Sequence, residues 1–415
     1  MIKETVCIRN KKTNLTVANS KVSAVLRSDI QKTGVRLYED GCLGIAGAIG
    51  AYNEDELIKS AEHMLKFKLP YAGSPTEGAR RSLDLSGVLG VTEAEFVETS
   101  EEVLAVMRKE YPMFMFTHKL CLIENEESLV NDAGTELKQK DRYIECGLIV
   151  KHRDSANLFD GFNFVVAREL NADVMLKEFT WICDAYGEKA DFSEKAEKIP
   201  VVLLGHDALI KKFLTDLEGN TFGSGASLFS GKTGEKLFDD KFSLIVDRNT
   251  GETYSRFFDG EGVTLEQDRF TLVDKGVLRS PYTTKRIAKK YDLPETGSAS
   301  MIYDSAPGVN YEGIAVARSD KTLSELLGGR KAVFAVIAGG GDFTPQGEFA
   351  SPIQVAYLYD GVNCFGRLPQ LSMSSHVNDM FGKDFIGASA DGSYPGCPFS
   401  YLVLDMNVRK IDEWI

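Results

Sequence analysis

Short β-prone runs separated by turn residues, with few helices between them, constrain this chain more than any single motif does. Residues 6–9, 22–26, 35–38 and 43–48 are rich in Val, Ile, Leu, Ala and Tyr, and the segments at 10–14, Thr33-Gly34 and Asp40-Gly41 read as turns. Strands joined by short turns pair antiparallel, because a parallel return needs a crossover of about a dozen residues or more. The opening segment therefore predicts an antiparallel meander. Similar runs return at 119–123, 129–137 (interrupted by Ala133-Gly134), 143–150 and 162–167, and again through most of the second half. The 38 glycines among 415 residues suit so many turns.

Helical patterns are few. Asn53 stands three residues before Glu56, as in a capping box, and Leu57, Ile58, Ala61, Met64 and Leu65 recur at helical spacing towards Pro70. A second helix is expected from Thr99, with Glu102 three residues on and Val103, Leu104 and Met107 as its buried stripe; a third is expected over 169–186. The charged stretch 187–198 lacks apolar periodicity and is followed by Ile199-Pro200, which places a domain boundary there. Beyond it come a strand at 201–204, a helix from Asp207, and mostly strands. This order predicts an α+β protein of two domains, 1–198 and 199–415, with mainly antiparallel sheets and a few packed helices.

With 48 Lys and Arg against 61 Asp and Glu, the net charge of −13 disfavours a phosphate backbone as partner. The densest basic cluster, Lys285, Arg286, Lys289 and Lys290, has the spacing of one solvated helix face. No apolar run approaches the roughly 18 residues of a membrane span, and the polar start carries no signal-peptide core, so a cytoplasmic chain is expected. Seven scattered cysteines without a CxxC pair fit a reducing compartment and argue against a zinc ribbon.

Individual motifs point mostly to structure. Residues 226–233 end in Gly231-Lys232-Thr233, as a phosphate loop does, but Ala226 replaces the first glycine, Leu228 and Phe229 are bulky, and no apolar strand directly precedes them. Gly41, Gly44, Gly47 and Gly50 lie inside a strand pattern and read as close packing or a bulge. No two of the five histidines have metal-motif spacing. His206-Asp207, at the mouth of a helix, reads as a capping pair and secondarily as a cleft residue beside a cap. His376 falls in a short helical run with Val377, Met380 and Phe381, and a remote site of His206, His376 and Cys397 is a lesser alternative. Asp259 and Glu261 read as a solvated turn ahead of an acid–base pair.

Taken together, several blocks resemble the TldD/PmbA family. They are Ser227-Leu228-Phe229-Ser230-Gly231 with Gly234-Glu235; Phe258-Asp259-Gly260-Glu261-Gly262-Val263; Leu272-Val273-Asp274-Lys275-Gly276-Val277-Leu278; and Glu295-Thr296-Gly297-Ser298-Ala299. Gly339-Gly340-Gly341-Asp342 and residues 350–359 continue the similarity, and the pattern from Val22 through the helix after Asn53 resembles the family's first domain. Members are labelled modulators of DNA gyrase and are regarded as metallopeptidase relatives.

The resemblance implies that the family's TldD branch carries HExxxH on the helix after the second domain's first strand, with a later cysteine as third metal ligand. Alignment through Leu217-Glu218-Gly219 puts Ile210, Lys211 and Thr215 at those three positions. Ile210 and Thr215 supply no imidazole, and Lys211 is no general base at neutral pH. The third-ligand position falls around 388–393, with Cys397 out of register. The chain thus looks like the PmbA branch, which implies no cofactor or metal of its own, a TldD-type family member as partner, and an extended peptide as substrate, in a homodimer or heteromer. Gly339, Gly340 and Gly341 are the candidate groove for a peptide strand. Two alternatives remain: a stand-alone hydrolase using His206 with His376 or Cys397, and a non-catalytic interaction protein of the gyrase-modulator type.

Overall fold

A computed structural model describes residues 1–191, 198–205 and 207–411. The N-terminal half is built on one sheet of β1 (Ile2–Ala18), β2 (Lys21–Glu39), β3 (Cys42–Ile49), β4 (Arg80–Asp84), β5 (Phe114–Asn131), β6 (Glu136–His152) and β7 (Gly161–Ala167), in the order β3-β2-β1-β5-β6-β4, with β7 also beside β6. Its pairs are antiparallel except β4 with β6.

The meander is realised with longer strands than the sequence suggests. Residues 10–14 form no turn: β1 runs straight through them, paired on both sides, and Asn10 Nδ2 donates to Asn125 Oδ1 at 2.6 Å. The turn falls instead at Asn19 and Ser20, both at positive φ. Thr33-Gly34 also lies within a strand. Gly34 is required there because a Cβ would sit 2.0 Å from the Tyr303 carbonyl oxygen. Gly44 has a similar role, its missing Cβ leaving room for the Ala61 carbonyl of the first helix.

Three helices cover this half: α1 (Glu54–Leu65), α2 (Glu93–Glu110) and α3 (Ala172–Ala185). Asn53 caps α1 as expected. The second helix starts earlier than expected, because Thr92 and Glu95 form a complete capping box and bring Phe96 into the core at 0% exposure. Phe96, Leu104 and Met107 of α2 share a core with Met175, Phe179 and Ile182 of α3.

The C-terminal half comprises β8 (Ile199–Leu204), β9 (Leu244–Asp247), β10 (Arg269–Asp274), β11 (Val277–Leu278), β12 (Ile314–Val316), β13 (Ala332–Ile337), β14 (Asp342–Phe343), β15 (Glu348–Ile353), β16 (Val355–Tyr359), β17 (Cys364–Arg367), β18 (Leu371–His376), β19 (Phe385–Ala388) and β20 (Tyr401–Lys410). Strands β11-β10-β9-β12 form a small sheet. A larger one runs β14-β15-β18-β20-β8-β13-β16-β17, with β19 on β20, and only its β8–β13 pair is parallel among the described residues. The architecture is α+β with predominantly antiparallel sheets.

Helix α4 (Asp207–Asp216) lies at the centre of this half. Its Phe213 ring contacts Phe229, Phe238, Phe242 and Phe381 at centroid distances of 4.9–5.5 Å. Phe229 belongs to the loop that partly matched a phosphate motif; its side chain is buried against α4, so packing accounts for that segment.

Candidate functional site

The three positions implied by the family resemblance fall on different parts of α4. Ile210 is fully buried in the core. Lys211 is exposed and its Nζ lies 3.0 Å from Asp342 Oδ1. The Thr215 hydroxyl donates to the Lys211 carbonyl at 3.1 Å. An aliphatic group in the core, a paired cation and a hydroxyl satisfied by its own helix do not fit a resident transition metal.

The other sequence candidates do not assemble with them. His206 and the side chain of Asp207 lie outside the described residues. His376 caps the short helix Val377–Met380: its Nδ1 accepts from Asn378 N at 3.1 Å, which leaves Nε2–H to donate to the Gln346 carbonyl at 3.0 Å. Cys397 is buried, which raises its thiol pKa, and Ser393 Oγ lies 3.8 Å from its Sγ. Among the described residues, no group of three or more His, Cys, Asp or Glu side chains is arranged to hold a metal ion. Gly339 exchanges two hydrogen bonds with the Gln354 amide, at 3.0 and 2.9 Å, while Gly340 adopts φ +88° with open space beside it. A Cβ at Gly341 would meet Ser351 Cβ at 2.3 Å.

Next to this glycine run, and beside the first turn of α4, lies a cavity of about 1040 Å³. Its floor is the large sheet, through β8, β13 and β16, and its opposite wall is α3. Residues Val174, Glu178, Trp181 and Ala185 line it, at the spacing of one helical face, while Met175, Phe179 and Ile182 are fully buried away from it, in a core shared with α2. Trp181 of α3 joins a connected set of rings on the sheet opposite: it meets Phe334 and Tyr357 at 5.4 and 5.3 Å, and Phe334 meets Tyr359 and Tyr401 at 5.6 and 5.7 Å.

Glu178 is the anomalous member of this lining. Half-buried against the cavity, it has no hydrogen-bond or ion-pair partner among the described residues. Removal from water pushes its carboxyl pKa up to about 8, against a smaller lowering by Lys177. The Tyr357 hydroxyl is also buried without a partner among the described residues. A shallower cleft of about 410 Å³ near Tyr52 is less promising, because the Arg9 and Asp29 that line it pair with each other at 2.7 Å.

Asp259 and Glu261 do not form a solvated turn. Both are buried, at 0% and 3% exposure, where the two halves meet. Asp259 accepts from the backbone N–H groups of Glu261, Val263 and Ala299, each at 2.9 Å. Glu261 accepts from the Tyr71 hydroxyl and, at 2.7 Å, from Lys285 N. Burial, then the neighbouring Asp259 charge, raises the Glu261 pKa. Lys285, expected on a solvated face, is buried as well, and its Nζ donates to the Ser74 carbonyl at 3.0 Å. Arg36, fully buried with Glu4 at 3.1 Å, donates to the Gly260 carbonyl at 2.5 Å, and Arg256 reaches Glu127 at 2.7 Å. Asp259 thus fixes its own loop, while Glu261, Lys285, Arg36 and Arg256 fasten the first half to the second.

Sequence reasoning missed Glu178, although one signal was available: a carboxylate on the otherwise apolar face of Val174, Trp181 and Ala185. It also missed the fastening role of Arg36 and Glu4, whose meeting depends on strand register.

Comparison with known proteins bears on the same segments. A family model described as the PmbA/TldA metallopeptidase C-terminal domain matches residues 198–408. A protein named metalloprotease from Methanothermobacter thermautotrophicus is 26% identical over 162 residues, 35% of either chain, so the match spans about a third of that relative's length. Among solved structures, TldE from Thermococcus kodakarensis superposes with a TM-score of 0.78 at 18% identity, over 98% of this chain and 96% of that one. A Thermotoga maritima protein whose description concerns modulation of a DNA gyrase gives 0.78 at 17% identity, over the same shares. The two structural likenesses speak for the fold, and the family model covers just over half of the sequence; on that ground the chain belongs to the PmbA/TldD family of metallopeptidase-related proteins.

Proposed function

We propose that this protein is the metal-free, PmbA-type subunit of a peptide-processing pair, lending substrate-binding surface to a metal-bearing TldD-type partner. The observation that carries this reading is α4 itself. The helix keeps the apolar stripe of Ile210, Phe213, Leu214 and Leu217 that its sequence carries, and its place at the centre of the core, yet Ile210, Lys211 and Thr215 offer no ligand set and no base. Beside it the cavity remains, and the Gly339–Gly341 run continues directly from Ala338 in the cavity lining, which suits a peptide entering along the sheet. On this reading residues 1–198 and 199–415 are two domains, the protein works in the cytoplasm, and its dimer interface is shared with the partner. No helix among the described residues is long and apolar enough to cross a membrane.

The test is reconstitution. This chain alone, an HExxxH-bearing family member alone, and the two together are incubated with an unfolded peptide, with and without chelator. The expected result is chelator-sensitive cleavage that this chain enhances and does not perform by itself. Cleavage by this chain alone, resistant to chelator, would overturn the reading in favour of a stand-alone hydrolase.

A further inference from the structure

We infer that the cavity between α3 and the large sheet is a binding site for a basic side chain, Lys or Arg, of an extended peptide, with Glu178 as the counter-charge and the rings of Trp181, Phe334, Tyr357, Tyr359 and Tyr401 as walls. The inference rests on the peptide-binding reading and names the substrate chemistry that reading leaves open.

Three observations converge on it. First, a carboxyl group half-buried in an aromatic cavity, with no partner among the described residues, is poorly served by the walls in either state: ionised it lacks a counter-charge, and protonated it lacks a protein acceptor. A cationic head supplies the missing partner through a charge-assisted hydrogen bond. Second, the walls suit the rest of such a side chain. Trp and Tyr faces attract cations through their quadrupoles, and their apolar area packs against a stem of three or four methylenes. Third, the charges around the cavity agree in sign. Among the described residues, Glu178, Asp184, Glu188 and Asp391 line it against a single Lys177. Asp184 and Asp391 already accept from the Tyr111 hydroxyl and from Leu323 N, both at 2.8 Å, and Glu188 is exposed, which leaves Glu178 as the half-buried carboxyl with no partner among the described residues. An anionic or purely aliphatic ligand would leave that carboxyl uncompensated.

The experiment measures binding to the full chain by calorimetry. The probes are Nα-acetyl-lysine methylamide, its norleucine counterpart, and capped heptapeptides with Lys or norleucine at the centre. The lysine probes should bind at least about tenfold more tightly than the norleucine ones. Glu178→Gln should abolish that preference without lowering the melting temperature, and Glu178→Ala serves as a second variant. Equal affinity for lysine and norleucine, a preference that survives both substitutions, or no binding of any probe would overturn the inference. Lysine selectivity with the single-residue probe but no gain from the heptapeptide would support the cation site and count against the peptide reading. Heptapeptide binding indifferent to the central residue would do the reverse.

Discussion

Asp259 is fully withdrawn from water and Glu178 partly so, with opposite outcomes. Asp259 is satisfied by three backbone N–H groups, so replacing it strands three buried donors at once. Asp259→Ala should destabilise the protein by roughly 3 kcal/mol or more, read from urea unfolding, at about 1 kcal/mol or more per unsatisfied donor. Glu178 has no such support, and its raised pKa makes a pH prediction with a definite sign. The folded chain holds this proton more tightly than the unfolded chain does. The stability it contributes is therefore present below the ordinary carboxylate range and is lost as pH rises through about 8. Lys177, Cys397 and Tyr401 also feel this charge, so the comparison must be made against Glu178→Gln. The variant should show a flatter fall of melting temperature between about pH 5 and 8; an unchanged slope would count against an uncompensated carboxyl.

Among the elements, α4 separates packing from chemistry. Phe213→Ala should cost about 3–5 kcal/mol, because it empties the centre of a phenylalanine cluster. Lys211→Ala, two residues away, should change stability by less than about 1 kcal/mol, because its pair with Asp342 is exposed. A thermal melt of both variants checks the contrast, and a large loss for Lys211→Ala would reveal a role beyond that pair. The elements also mark what could be read in advance. Helix α1, the Asp40-Gly41 and Ala133-Gly134 turns and the helical stripe of α4 rest on local signals, and they were legible. The unbroken course of β1 was not, because its polar residues 10–14 are held by cross-strand partners that no local pattern reveals. For the same reason Asp259, Glu261 and Lys285 looked solvated: only the meeting of the two halves buries them. A helix over 169–186 was expected, but which of its faces lines a cavity depends on β8, β13 and β16, which assemble into a sheet only in the second half.

At the scale of the whole molecule, the two halves are joined by arginines of both: Arg36 to the Gly260 carbonyl, Arg168 to the Thr250 carbonyl at 2.6 Å, and Arg256 to Glu127. Breaking a buried ion pair by removing one partner costs about 3–5 kcal/mol. Arg36→Ala should take that much from the first sheet, where Glu4 is left unpaired, and should also remove the donors to the Gly260 and Ile302 carbonyls that cross the junction, so the N-terminal half should unfold first and calorimetry should resolve two heat-absorption peaks where the parent gives one; a single peak at lower temperature would mean that the halves cannot persist apart. Helix α3 carries a separate consequence. Its Met175, Phe179 and Ile182 are packed in a core shared with α2, and its Val174, Glu178, Trp181 and Ala185 form the cavity wall opposite the sheet. An occupant pressed against that wall would also brace the core behind it, so hydrogen–deuterium exchange should slow along the whole of α3 and into β7, well past the residues the occupant touches. Binding at one surface would then be legible as stillness in the neighbouring half.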